Sequence, residues 1–188
     1  MASTKIKTTD NTKTRFTKAL FKLMETTDYS KITISELTAE AKVSRVSFYR
    51  NYQEKSDIVK EYFRSIIKPY NDKAPTCITP ISVYNFYVSA LEDFKSHKKE
   101  LLLLSKNNLL MYYTWELLAS IRVNFKGEPG SKGYYNSLIF AGSFSLMVLT
   151  WIKRDFKEPP SLLARTYTET MFESHNPLST PVMSDILK

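Results

Sequence analysis

Residues 32–58 read Ile-Thr-Ile-Ser-Glu-Leu-Thr-Ala-Glu-Ala-Lys-Val-Ser-Arg-Val-Ser-Phe-Tyr-Arg-Asn-Tyr-Gln-Glu-Lys-Ser-Asp-Ile. Thr33 and Glu36 stand in capping-box register, and Leu37 and Ala41 follow as the buried side of a short helix. Lys42-Val43 then interrupts the pattern, and Ser44 is placed to cap a second short helix running through Tyr52. Two helices this short need a third to pack against. The apolar face Phe16, Ala19, Leu20, Leu23 and Met24, at helical spacing, supplies it. The spacing predicts a helix-turn-helix.

In such a unit the N-terminal residues of the second helix meet base edges in the major groove. Here they are Ser44, Arg45, Val46 and Ser47. Arg45 can bond guanine through two N–H groups, and Val46 can pack on a thymine methyl. Thr33, Tyr49, Arg50, Asn51, Tyr52 and Lys55 stand around them with groups suited to phosphate. Periodicity alone leaves Tyr49 and Tyr52 open between core and surface. Val43 and Phe48 read as packing residues. The basic residues between Lys5 and Lys22 read as a solvated helix face, with a DNA-touching arm as the alternative.

At Ile32-Thr33, Leu37, Ala41, Val43-Ser44, Ser47-Phe48-Tyr49, Tyr52, Lys55 and Ile58 the chain resembles the N-terminal domain of the TetR family of bacterial transcription regulators. The resemblance covers roughly residues 10–68. It implies an all-α homodimer with two DNA-binding domains and a C-terminal regulatory domain. It carries Thr33, Tyr49 and Lys55 over as phosphate contacts and Arg45, Val46 and Ser47 as base readers, and it leaves Tyr52 structural. The chain departs from the family pattern at Lys42 (usually Gly), Thr38 (commonly Ala), Asn51 (frequently His) and Glu54 (usually a capping Ser, Asp or Asn).

Composition agrees. The chain has 188 residues and a net charge of +8. Residues 1–68 hold 14 Lys+Arg against 8 Asp+Glu, so the basic character lies in the first third and points to a polyanion. A basic membrane-surface protein is disfavoured, because the charge gathers around the helix-turn-helix and not along an amphipathic stripe. The apolar run Leu138–Ile152 is shorter than the ~20 residues that span a bilayer. A single cysteine, Cys77, excludes a disulfide framework and fits a reducing cytoplasm. No metal site, cofactor motif or enzyme signature is legible, and His97 and His175 lie far apart.

The expected organisation is a DNA-binding domain over 1–68, a proline-marked linker over 69–80, a helical regulatory and dimerisation domain over 81–174, and a flexible tail over 175–188. Residues 78–156 hold 14 aromatics, most of them expected in the core. The alternative is an aromatic-lined cavity for a small apolar or aromatic effector, walled by Phe86, Tyr87, Tyr112, Tyr113 and Trp115. The mostly apolar helix around Leu138–Ile152, with its small residues, is the expected dimer interface through Ala141, Gly142, Ser145, Leu149 and Ile152.

The expected function is a dimeric, effector-released repressor reading a near-palindrome in double-stranded DNA. The alternative is a regulator, even an activator, controlled by a protein partner.

Overall fold

The computed structural model describes residues 2–72, 77, 79–124 and 128–173. Among these, every regular element is helical: α1 (Ala2–Met24), a 3₁₀ turn (Tyr29–Lys31), α2 (Ile34–Ala41), α3 (Arg45–Asn51), α4 (Ser56–Asp72), α5 (Pro80–Ser96), α6 (Lys98–Lys106), α7 (Met111–Asn124), α8 (Lys132–Lys153) and α9 (Pro160–Glu173).

The N-terminal helices form because their apolar faces converge. Phe16 and Leu20 of α1, Leu37 of α2, Phe48 of α3 and Phe63 of α4 are fully buried together. Burying each contributes on the order of 1.5–3 kcal/mol. Phe48 meets Phe16 edge-on with ring centres 5.5 Å apart, which fixes the rotation of α3. Thr38 is buried, and its hydroxyl is satisfied by donating to the Ser35 carbonyl at 3.0 Å.

Two boundaries differ from the expectation. α1 starts at Ala2, well before the apolar face from Phe16 to Met24 by which the helix is read. α4 continues through Pro69 to Asp72, so the expected boundary at residue 69 falls inside a helix. Proline removes one helical N–H. However, Ile67 is buried before it and Tyr70 packs on the core after it, so both flanks are anchored. α5 then starts at Pro80 under a capping box between Thr79 and Ser82. Residues 73–76 and 78 of the expected linker, and the expected tail 175–188, lie outside the described residues.

α4 joins the two ends of the molecule. Its first half closes the helix-turn-helix core and its second half packs on α7, so one apolar cluster runs from Phe16 through Phe63 to Tyr113 and Trp151. α7 and α9 pack on α8, and α5 packs on α9.

α8, at 22 residues and mean hydropathy 1.4, is long and apolar enough to cross a membrane, which the count over Leu138–Ile152 had missed. One side of it (Ala141, Ser145, Val148, Trp151 and Ile152) is buried within the protein. The Ser145 hydroxyl shares a hydrogen bond with Thr114 of α7 at 2.8 Å, and the Trp151 indole donates to the Glu158 carbonyl at 2.9 Å.

Candidate nucleic-acid interface and the cavity behind it

α2 begins as its sequence dictates. The Thr33 hydroxyl oxygen accepts from the Glu36 N–H at 3.2 Å, and Glu36 Oε2 accepts from the Thr33 N–H at 2.8 Å. These bonds hold the Glu36 carboxyl below the usual carboxylate range. Thr33 itself stands exposed at the N-terminal end of α2.

α2 ends at Lys42, whose backbone is left-handed, with φ 52° and ψ 45°. A left-handed lysine costs about 1–2 kcal/mol relative to glycine. An Arg15 guanidinium N–H donated to the Lys42 carbonyl at 2.5 Å helps hold the turn. Lys42→Gly is therefore expected to raise stability by about 1 kcal/mol, read as a higher urea midpoint at unchanged slope.

α3 is capped by Ser44, whose hydroxyl oxygen accepts from the Ser47 N–H at 3.2 Å. With Phe48 locked inward, Arg45, Val46, Tyr49 and Arg50 turn to solvent. Val46 is 69% exposed and Tyr49 56%, which is costly apolar exposure unless a partner covers it. Ser47 is half-buried. Asn51 is also half-buried, and its side-chain amide donates to the Ser47 carbonyl at 2.7 Å, so that group is committed to the helix. Tyr52 is buried against Phe16 and Phe48, as a structural residue should be.

The cations sort by direction. Lys13, Lys22, Lys60 and Arg64 are paired with Glu61, Glu40, Asp57 and Glu116. Lys42, Arg45 and Arg50 have no ion-pair partner among the described residues. The exposed face of the turn and α3 is thus left with uncompensated positive charge, the electrostatic requirement for phosphate.

Lys55 was expected to contact phosphate, but the structure places it otherwise. Its ammonium donates to the carbonyls of Tyr29 (2.5 Å), Ile32 (2.7 Å) and Ser30 (3.3 Å), and it lies 4.4 Å from the centre of the Tyr29 ring. Partial burial lowers its pKa. All three N–H groups are engaged, so Lys55 ties the start of α4 to the segment leading into α2. Lys55→Met is expected to lower stability by about 1.5–3 kcal/mol while leaving the salt dependence of DNA binding unchanged. A salt slope reduced by about 1 would instead restore Lys55 as a phosphate ligand.

The cap of α4 comes from Asp57, whose Oδ2 accepts from the Gln53 and Glu54 N–H groups at 2.9 and 3.1 Å. Glu54 at the usual capping position therefore leaves the helix start well held.

Further ties fasten this unit to the rest. Arg64 forms a two-pronged pair with Glu116 of α7 at 2.6 and 3.0 Å. The Tyr29 N–H donates to Asn107 Oδ1, just past α6, at 2.7 Å. An open furrow of about 1010 Å³ lies between α3 and α7. Lys13, Arg50, Arg64 and Lys68 line it together with the carboxylates of Asp57, Glu61 and Glu116, and Lys13 and Arg64 are paired with Glu61 and Glu116.

Behind α4 lies a cavity of about 350 Å³. Phe86, Tyr87 and Tyr113 line it. Tyr112 and Trp115 do not. Tyr112 lies under the Lys60 ammonium, 5.7 Å from its ring centre, and Trp115 is 62% exposed. Neighbours on one helix turn point 100° apart, so Tyr113 faces the cavity and its companions cannot. Sequence reading missed Ile67 and Tyr70 of α4 and Phe140 and Phe144 of α8, which complete the wall. Ile67 and Tyr70 flank Pro69, which marks the start of the expected linker.

The expected dimer residues divide. Ala141, Ser145 and Ile152 are buried within the protein, and Leu149 packs partly on its core. Gly142 lies toward the open side, where a Cβ would meet nothing within 4 Å. The exposed stripe of α8 is instead Tyr135, Ile139 and Leu146. Ala141 and Ser145 serve internal packing, a use that composition cannot distinguish from an interface.

Among the described residues no group of three or more His, Cys, Asp or Glu could hold a metal ion. His97 links α5 to α6 with its ring 6.0 Å from that of Tyr62, and Cys77 is exposed.

Residues 16–62 match the family of bacterial regulatory proteins described as the TetR family. The crystal structure of a TetR transcriptional regulator from Streptococcus agalactiae 2603V is similar, with a TM-score of 0.59 over 90% of this chain and 98% of that one. At 20% identity this likeness speaks to the fold. No curated protein sequence matches the chain as a relative.

Proposed function

Because this chain belongs to the TetR family of bacterial regulatory proteins and is a DNA-binding regulator of transcription, we propose that it acts in the cytoplasm as a homodimeric repressor, released from a near-palindromic operator by a small apolar or aromatic effector. The observation that carries this reading is α4. Its N-terminal end locks the helix-turn-helix through Lys55, and Ile67 and Tyr70 near its other end form cavity wall. A molecule filling the cavity pushes on the same rigid helix that positions α3. It shifts the population of head orientations by its differential affinity for them.

Arg45, Val46 and Ser47 read bases in this proposal, with Thr33, Tyr49 and Arg50 as phosphate contacts and Ser44 capping the reading helix. Two copies joined along the Tyr135–Ile139–Leu146 stripe present two such helices. Binding one face of the duplex calls for about 34 Å between them.

Selecting operator sequences from random DNA tests the proposal. Arg45→Ala is expected to weaken the selected site by about 1–3 kcal/mol and relax preference at one base position per half-site. An unchanged consensus removes Arg45 as a reader.

A second reading has its own support. Met111 and Trp115, one turn apart on α7, are 56% and 62% exposed, a patch fit for a protein partner that would set activity instead of an effector. Loss of regulation in cells on Trp115→Ala, with DNA binding intact in the purified protein, favours it.

A further inference from the structure

The 350 Å³ cavity has a specific polar signature. Among the described residues no Lys, Arg, His, Asp or Glu lines it, and the polar groups of those residues are the hydroxyls of Tyr70, Tyr87, Tyr113 and Ser137. Two of these have partners: Tyr70 donates to Asp93 Oδ2 at 2.7 Å and Ser137 donates to the Tyr134 carbonyl at 2.7 Å. Tyr87 packs edge-on against the Tyr167 ring, with centres 4.7 Å apart.

Tyr113 differs. Its residue is 1% exposed, its ring is held edge-on by Phe94 at 5.2 Å, and its hydroxyl has no hydrogen-bond partner among the described residues. The sealed, unpartnered buried hydroxyls belong to Tyr52, Tyr62 and Thr168. The Tyr113 hydroxyl is not among them, and the space open to it is the cavity its residue lines. A hydroxyl that faces a cavity can donate to a molecule held there, and one such hydrogen bond is worth about 0.5–1.5 kcal/mol.

We propose that the cavity takes a neutral, mainly apolar molecule with a flat aromatic portion, presenting one hydrogen-bond acceptor to the Tyr113 hydroxyl. Phe86, Tyr87 and Phe144 supply ring faces and edges for the flat portion. A charged ligand finds no counter-ion among the described lining residues and would be desolvated without compensation from them. Burial raises the Tyr113 pKa, so the hydroxyl remains a donor at physiological pH.

This inference rests on the effector reading above, and its test separates the two. Calorimetry on the full chain compares three probes of one shape: benzophenone, diphenylmethane and benzoylbenzoate. The ketone is expected to bind about three- to tenfold tighter than the hydrocarbon, the worth of one hydrogen bond. The carboxylate is expected to bind at least about a hundredfold more weakly than the ketone. Tyr113→Phe should erase the ketone's advantage and leave the hydrocarbon's affinity unchanged.

Equal binding of ketone and hydrocarbon by the unmodified protein overturns the proposal without any variant. Binding of the carboxylate at the ketone's level, or failure of all three to bind, also overturns it. Ketone binding with the expected discrimination, but with operator affinity unmoved, upholds the ligand class and sinks the effector role.

Discussion

Leu146→Glu is expected to yield a folded monomer whose operator affinity is reduced by about 10²–10⁴-fold. Leu146 is 67% exposed and makes no demand on the core, so the substitution leaves the protomer's packing intact. In a two-fold interface each change occurs twice, placing two carboxylates in an apolar seam beside Ile139 and Tyr135 of both copies. A buried, unpaired charge costs far more than such a contact returns. The loss of DNA affinity follows from geometry. A dimer binds its second half-site as an intramolecular event, with an avidity gain of about 10²–10⁴ that a monomer lacks. Sedimentation at micromolar concentration and a mobility-shift titration measure the two effects. A variant that remains dimeric would move the interface off α8. By contrast, Ala141 and Ser145 lie inside the protomer, so charging them should unfold it.

Phe48→Ala is expected to cost about 3–5 kcal/mol of stability. The ring is fully buried and touches Phe16, Tyr49 and Tyr52 at centre distances of 5.5, 5.2 and 5.7 Å. It is also what turns Arg45, Val46 and Tyr49 outward. DNA binding should therefore fall further than the stability loss alone explains, since α3 keeps its cap but loses its seat. Urea unfolding followed by circular dichroism gives the first quantity. A mobility-shift titration well below the midpoint gives the second. A loss under 1 kcal/mol would mean that α3 is held by its flanking turns and not by the aromatic cluster.

The reading head was legible because its information is local. The capping pair Thr33–Glu36, the Ser44 cap and the apolar spacing through Phe48 each act within a few residues. Lys42 in a left-handed turn is local too, since a tight turn between two helices constrains its middle residue whatever surrounds it. The carbonyl partners of Lys55 were not legible, because Tyr29, Ser30 and Ile32 lie more than twenty residues away in sequence. A lysine at a helix start looks the same whether its ammonium meets phosphate or carbonyl.

The C-terminal half was legible only as helices. Which side of α7 and α8 meets the core depends on rotations of a few tens of degrees, set by packing among α4, α5, α7, α8 and α9. Tyr113 and Trp115 are alike in the chain and opposite in the fold. The Tyr135–Ile139–Leu146 stripe likewise emerges only when the other side of α8 is filled. Short-range capping and periodicity were thus sufficient for a DNA-reading helix-turn-helix and an all-α chain. The cavity, its open tyrosine hydroxyl, the uncovered stripe and the role of Lys55 needed the assembled protein, because each depends on which distant side chains compete for the same space.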